Sequence, residues 1–191
     1  MVTGAPGVSR RQLLGASGAA AAAAGLAACG GSSSSSPVPR LATLPTRLSS
    51  EEEALINGLI DVEYHAAAAY IAAIPVLKDH NLRAAKRFLR QELSHASELA
   101  AVVKAGHGKP HVPVSGYQLG HPRGTKQVME LLHGIERLAI SAYLDAIGKL
   151  TPGPLRAVAV SILANEAQHM AIVRRNLGLN PVPAALVTGA E

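Results

Sequence analysis

The sequence predicts an all-α fold: four long helices arranged as two antiparallel hairpins joined by a long crossover. Three observations carry this reading. Apolar residues recur at helical spacing through four segments, each about 24 residues long or ~36 Å as a helix. Helix-stopping residues fall between the segments: Pro75, Gly106, the run Thr151-Pro152-Gly153-Pro154, and Gly178. The middle connection, Gly106 to Gly124, is far longer than the other two.

Each helix can be argued in order. Ser50 followed by Glu53 reads as a capping box, with Ser50 as the N-cap. The first helix then runs to about Ile74, where Pro75 ends it for want of an N–H. Its apolar stripe is Ile56, Leu59, Ile60, Ala67, Tyr70 and Ile74. The second helix runs from about Leu82 to Ala105 and stops at Gly106, with Phe88, Leu89, Ala96, Leu99 and Val103 on one face. Thr125 is expected to cap the third, which runs to about Leu150 with Met129, Leu132, Ile140, Tyr143 and Ile147 in line. Pro154 suits the first turn of the fourth, which carries Leu155, Ile162, Met170, Val173 and Leu177 and stops at Gly178. Short loops join the first helix to the second and the third to the fourth, so each pair is a hairpin. The crossover contains Pro110, Pro113 and Pro122 and is long enough to run back along the bundle.

The chain ahead of the bundle reads differently. Residues 1–28 look like an export signal. Ser9-Arg10-Arg11-Gln12-Leu13-Leu14 resembles the twin-arginine motif of bacterial signal peptides, and Arg10 and Arg11 are its mark. The Ala-rich stretch Leu13 to Ala28 falls short of the ~20 apolar residues that span a bilayer. Leu26-Ala27-Ala28-Cys29 resembles a lipobox, which implies lipidation of Cys29 after cleavage before it. Residues 29–48, Ser-rich and then Pro-rich, read as a linker. The bundle is expected over 49–180 and a short tail over 181–191. The expected location is therefore outside the cytoplasm, as a periplasmic or cell-surface lipoprotein held to a membrane through Cys29.

Composition excludes some classes. Cys29 is the only cysteine, so no intrachain disulfide forms. Net charge is +5, of which Arg10 and Arg11 supply two, and the remaining basic residues form no run. With four Tyr, one Phe and no Trp, stacking surfaces for bases are scarce, and no nucleic-acid partner is expected.

The halves of the bundle repeat. Glu63 to Ile74, EYHAAAAYIAAI, aligns with Glu136 to Ile147, ERLAISAYLDAI, at an offset of 73. LRQELSH aligns with LANEAQH at an offset of 74. Each half therefore holds one isolated Glu in its first helix and one Glu-x-x-His in its second. Glu63, Glu92, His95, Glu136, Glu166 and His169 all fall within the apolar stripes, at similar depth. Four buried carboxylates without basic partners repel one another and would have to bind protons. Two divalent cations balance their charge, with the imidazoles as neutral ligands. Residues three apart on a helix share a face, so each Glu-x-x-His offers both groups to one metal. One Glu from each of two helices and a Glu-x-x-His from each of the others is the carboxylate-bridged dinuclear pattern. Tyr70 and Tyr143, seven residues after the isolated Glu residues, either fill core or donate a hydrogen bond to a ligating carboxylate. His133, one turn before Glu136, either supports a ligand from behind or, the favoured reading, is a stripe-edge residue, and His65, His107, His111 and His121 lack ligand spacing.

With these residues in place, the chain resembles the ferritin-like superfamily over about Glu51 to Gly178. It is most similar to exported bacterial ferritin-like domain proteins of the desiccation-related type, whose last helix and Pro-Val-Pro tail Asn165 to Leu186 resembles. The resemblance implies the same six ligands, with the isolated Glu residues terminal and the Glu of each Glu-x-x-His bridging. It implies that Glu63 joins His95 and Glu136 joins His169. Mixed carboxylate and imidazole ligation suits iron or manganese and tolerates zinc. The leading expectation is a di-iron protein acting on Fe(II), O₂ or peroxide. A manganese-catalase-like enzyme and a non-enzymatic, metal-stabilised stress-protection lipoprotein are the alternatives, and the residues leave open whether the protein is an enzyme. Any reductant is external, and a homodimer is compatible with the sequence.

Overall fold

A computed structural model describes residues 47–190. Residues 1–46, which include Arg10, Arg11, Cys29 and most of the expected linker, lie outside the described residues, as does Glu191. The described residues form four helices and no strand: α1 (Ser50–Ala73), α2 (Asp79–Ala105), α3 (Gly124–Lys149) and α4 (Pro154–Asn176). Helices α1 and α2 pack as one hairpin, α3 and α4 as the other, and α1 lies against α3, while α2 and α4 approach each other at few points. None of these helices is long and apolar enough to cross a membrane.

Three helix starts differ from expectation, each for a local reason. Ser49, not Ser50, caps α1: its hydroxyl accepts from the Glu52 N–H at 3.1 Å, and its own N–H donates to Glu52 Oε2 at 3.0 Å. Both Ser-x-x-Glu frames are present in the sequence, but Glu53 is occupied elsewhere, accepting from the Lys109 N–H at 2.9 Å. Helix α2 begins at Asp79, ahead of Leu82, because the polar start shows no apolar period, while Asp79 favours the positive end of the helix. Thr125 lies inside α3 and caps nothing. The Arg123 N–H at that end is taken by Gln127 Oε1 at 2.7 Å. Pro154 opens α4 as expected, and the helix ends at Asn176.

The crossover runs back along α1 in steps of one turn. Glu53 holds Lys109. Asn57, buried, donates to the Lys109 carbonyl at 3.1 Å and accepts from the His111 N–H at 2.8 Å. Asp61 pairs with His111 Nδ1 at 2.8 Å, and His65 stacks on Tyr117 at 5.6 Å. The C-terminal tail folds back on the second hairpin. Arg174 donates to the Asn180 carbonyl at 2.7 Å and Arg137 to the Gly189 carbonyl at 3.0 Å. Gly189 has φ +76°, and a Cβ there would lie 2.7 Å from the Arg137 carbonyl oxygen, so only glycine fits.

The core is divided. One cluster, around Ile60, Leu99, Val103 and Ile162, fills one end. Another, around Phe88, Met129, Leu132 and Val173, fills the other. Between them lies a layer of buried polar side chains.

Candidate metal centre

Each half of the repeat supplies that layer from the middle of its helices. Glu63 descends from α1, Glu92 and His95 from α2, Glu136 from α3, and Glu166 and His169 from α4. The four carboxylates are at most 1% exposed. His169 is as deeply buried, whereas the His95 side chain is 13% exposed.

The side chains converge on two adjoining points. His95 Nδ1 lies 2.9 Å from Glu166 Oε1, 3.3 Å from Glu63 Oε2 and 3.7 Å from Glu92 Oε2. His169 Nδ1 lies 3.0 Å from Glu92 Oε1, 3.4 Å from Glu166 Oε2 and 3.7 Å from Glu136 Oε2. Two overlapping groups result: Glu63, Glu92, His95 and Glu166, and Glu92, Glu136, Glu166 and His169. In each, the candidate ligand atoms lie within 4.8 Å of one another. Glu92 and Glu166 belong to both groups, each presenting one oxygen to either histidine.

These atoms crowd to ion-pair distance without the geometry of hydrogen bonds. Glu63 Oε2, Glu136 Oε2, both oxygens of Glu92 and Glu166, and Nδ1 of both histidines have no hydrogen bond of normal geometry. Orphaned buried acceptors are costly unless something else takes their lone pairs. An oxygen-rich set with two imidazoles, carrying four negative charges, is a donor set for two divalent ions of the iron or manganese kind.

The remaining oxygens are tied down, and the ties cross the repeat. The Tyr70 hydroxyl donates to Glu136 Oε1 and the Tyr143 hydroxyl to Glu63 Oε1. Each tyrosine thus serves the glutamate of the other hairpin, stitching α1 to α3 through the centre. Sequence reasoning missed two further partners. Gln91 Oε1 sits 3.0 Å from His169 Nε2, and the Phe88 ring stacks on His169 at 4.0 Å. Gln91 is adjacent to Glu92, but nothing in its local sequence says that it faces α4. Arg174, buried at the edge of the fourth stripe, reaches His133 Nε2 at 3.3 Å rather than any of the four carboxylates.

The electrostatics of the metal-free chain show what the site demands. Burial pushes Glu63 up to about 8, with the charges of Glu166 and Glu92 adding to it and His95 opposing. Burial, and then Glu92 and Glu166, hold Glu136 well above the usual carboxylate range. Burial opposes ionisation of Glu166 too, but its contacts with His169 and His95 win and hold it at about 2. Both histidines are disfavoured as cations by burial and rescued by the carboxylates, His95 to about 12 and His169 to about 9. Tyr70 and Tyr143 are held neutral by burial and by the glutamates they face. Protons do here what cations are needed to do.

A helical bundle cut at mid-height by four carboxylates and two imidazoles has the build of a carboxylate-bound dinuclear metal protein. The chain matches the ferritin-like domain family over residues 52–179 and belongs to it. Comparison with curated protein sequences gives no significant match. Among solved structures, a conserved hypothetical protein from Mycobacterium tuberculosis, Rv2844, is similar at TM-score 0.65 and 16% identity, over 68% of this chain and 99% of that one. A ferritin-like diiron-carboxylate protein from Bacillus anthracis is similar at TM-score 0.57 and 21% identity, over 68% and 99%. The bacterioferritin of Rhodobacter capsulatus is similar at TM-score 0.58 and 17% identity, over 69% and 86%. At these identities the likeness is one of fold.

Proposed function

We propose that the protein binds two iron ions through Glu63, Glu92, His95, Glu136, Glu166 and His169, and acts on Fe(II), O₂ or peroxide. One observation carries the reading: two overlapping ligand groups share Glu92 and Glu166, with their lone pairs otherwise unpartnered. The diiron-carboxylate neighbour supports iron over manganese. Two redox ions bound here would supply two electrons to one oxidant. The chain's own part would be to hold them with shared carboxylates, to fix Glu136 and Glu63 through the tyrosines, and to flank them with two apolar clusters.

The test is metal content and Fe(II) oxidation by protein purified without added metal. Two ions per chain are expected, and His95→Ala and His169→Ala should each abolish oxidation rather than halve it. One ion per chain, or half activity in either variant, would refute the coupled centre. Two ions with no turnover of Fe(II) or peroxide would leave a metal-stabilised structural protein.

The proposal extends to location. The motifs around Arg10, Arg11 and Cys29 support twin-arginine export and a lipid anchor, with the reductant outside the chain. Cys29→Ser should release the protein from membranes or block processing. Cell fractionation finding the wild type unprocessed in the cytosol would end this part of the reading.

A further inference from the structure

The repeat that builds the centre is broken at its rim, and the break opens one side only. Around His169, Gln91 holds Nε2 and Phe88 stacks on the ring, while Ile172 packs against the same core cluster as Phe88. At the repeat's offset of 74, the counterparts of Gln91 and Phe88 are Asn165 and Ile162, and that of Ile172 is Glu98. All three line a cavity of about 430 Å³ between α2 and α4, together with Ser94, Ser161 and His95 itself. Each exchange works in the same direction. Asparagine is one methylene shorter than glutamine and, among the described residues, makes no hydrogen bond to His95. Isoleucine cannot stack as phenylalanine does. Glu98 puts an exposed carboxylate one turn from His95, where the other side has an apolar residue. The outcome is the difference in exposure between the histidines, 13% against 1%.

We infer that the two metal positions are not equivalent: the position at His95 is loaded and emptied by divalent cations through the cavity between α2 and α4, with Glu98 drawing them to its rim, while the position at His169 is sealed and exchanges slowly. This rests on the dinuclear reading above. Metal release requires water to replace ligands one at a time. Water reaches His95 through the cavity, and among the described residues its ring has no hydrogen-bond partner like Gln91 and no close stack like Phe88, only the His169 ring at 6.3 Å. Gln91 and Phe88 fix the ring of His169, and a ligand so held returns to its metal before solvent displaces it.

The experiment loads the metal-free full chain with Co(II) under anaerobic conditions, follows its visible bands, and then adds excess chelator. Two release phases of equal amplitude are expected, separated by about tenfold or more, on the order of the effect of partners outside the ligand set. Glu98→Gln should slow loading of the fast position by roughly three- to tenfold, an effect that shrinks in high salt. Ile162→Phe with Asn165→Gln, which restores the seal, should slow the fast release towards the slow one. Gln91→Leu should speed the slow release. A single release rate in the wild type, or a fast phase unmoved by both Glu98→Gln and the sealing pair, overturns the inference. Fewer than two Co(II) bound, with no response to His95→Ala or His169→Ala, overturns the dinuclear reading and this inference with it.

Discussion

Tyr70 and Tyr143 sit on the same helices as Glu63 and Glu136, yet each bonds to the glutamate of the other helix. That crossing makes a specific prediction. Tyr70→Phe removes the donor to Glu136 and should weaken metal binding by about tenfold, the lower end of such losses. In a double-mutant cycle on stability, Tyr70→Phe should couple to Glu136→Gln by roughly 0.5–3 kcal/mol and be additive with Glu63→Gln. Coupling to Glu63 instead would mean that the tyrosines act along their own helices. The six polar residues themselves were legible because charge in an apolar stripe has few bland explanations, and its repetition at offsets of 73 and 74 removes most of those. The crossing was not legible. Seven residues along a helix restores the face, but which neighbouring helix that face meets is decided by tertiary packing. Gln91 and Phe88 were hidden for the same reason: a glutamine and a phenylalanine in an amphipathic helix look like edge and core wherever they point.

Among the elements, the crossover departs most from a passive connection. A Pro-rich segment cannot satisfy its own backbone, and here α1 does so for it through Glu53 and Asn57. Asn57 is the buried member and serves one donor and one acceptor at once. Asn57→Leu should strand both backbone groups and destabilise the fold by about 2–4 kcal/mol. The midpoint of a urea transition checks this, and a change within about 0.5 kcal/mol, the usual range for a surface site, would show that water replaces the clasp at little cost. The same contacts explain the one-residue error at the start of α1. From the sequence, Ser49 and Ser50 are equal candidates for a capping box. The choice is made by a backbone N–H more than fifty residues away, which claims Glu53 and leaves Glu52 for the cap. Helix ends are set by such distant claims, whereas the helix middles follow from periodicity alone, and the four stripes are buried or half-buried where the spacing put them.

For the whole molecule, the divided core makes stability a function of metal and pH together. Bound metal stabilises the folded state by RT ln(1 + [L]/Kd), ~4 kcal/mol at a thousandfold excess over Kd. For a domain of this size that is a rise in Tm of about 10–15 °C, and Glu92→Ala should lose most of it because Glu92 faces both positions. The pH dependence of the metal-free chain has a definite sign. Glu63, raised to about 8 from an ordinary 4.5, and Glu136, raised likewise, stabilise fully only below their unfolded values and lose that contribution as pH rises. His169, raised from 6.5 to about 9, contributes fully below 6.5 and loses its part as pH rises towards 9. Glu166, depressed to about 2, acts oppositely, but only as pH falls below 4.5. Between pH 5 and 8 the metal-free protein should therefore become less stable as pH rises. Metal displaces these same protons, so its affinity should increase over the same range. The gap in Tm between Mn(II)-loaded and chelated protein should then widen steadily from pH 5 to pH 8 in calorimetry. A gap that stays constant or narrows would mean that metal and protons do not compete for the buried layer, and that its carboxylates are balanced some other way.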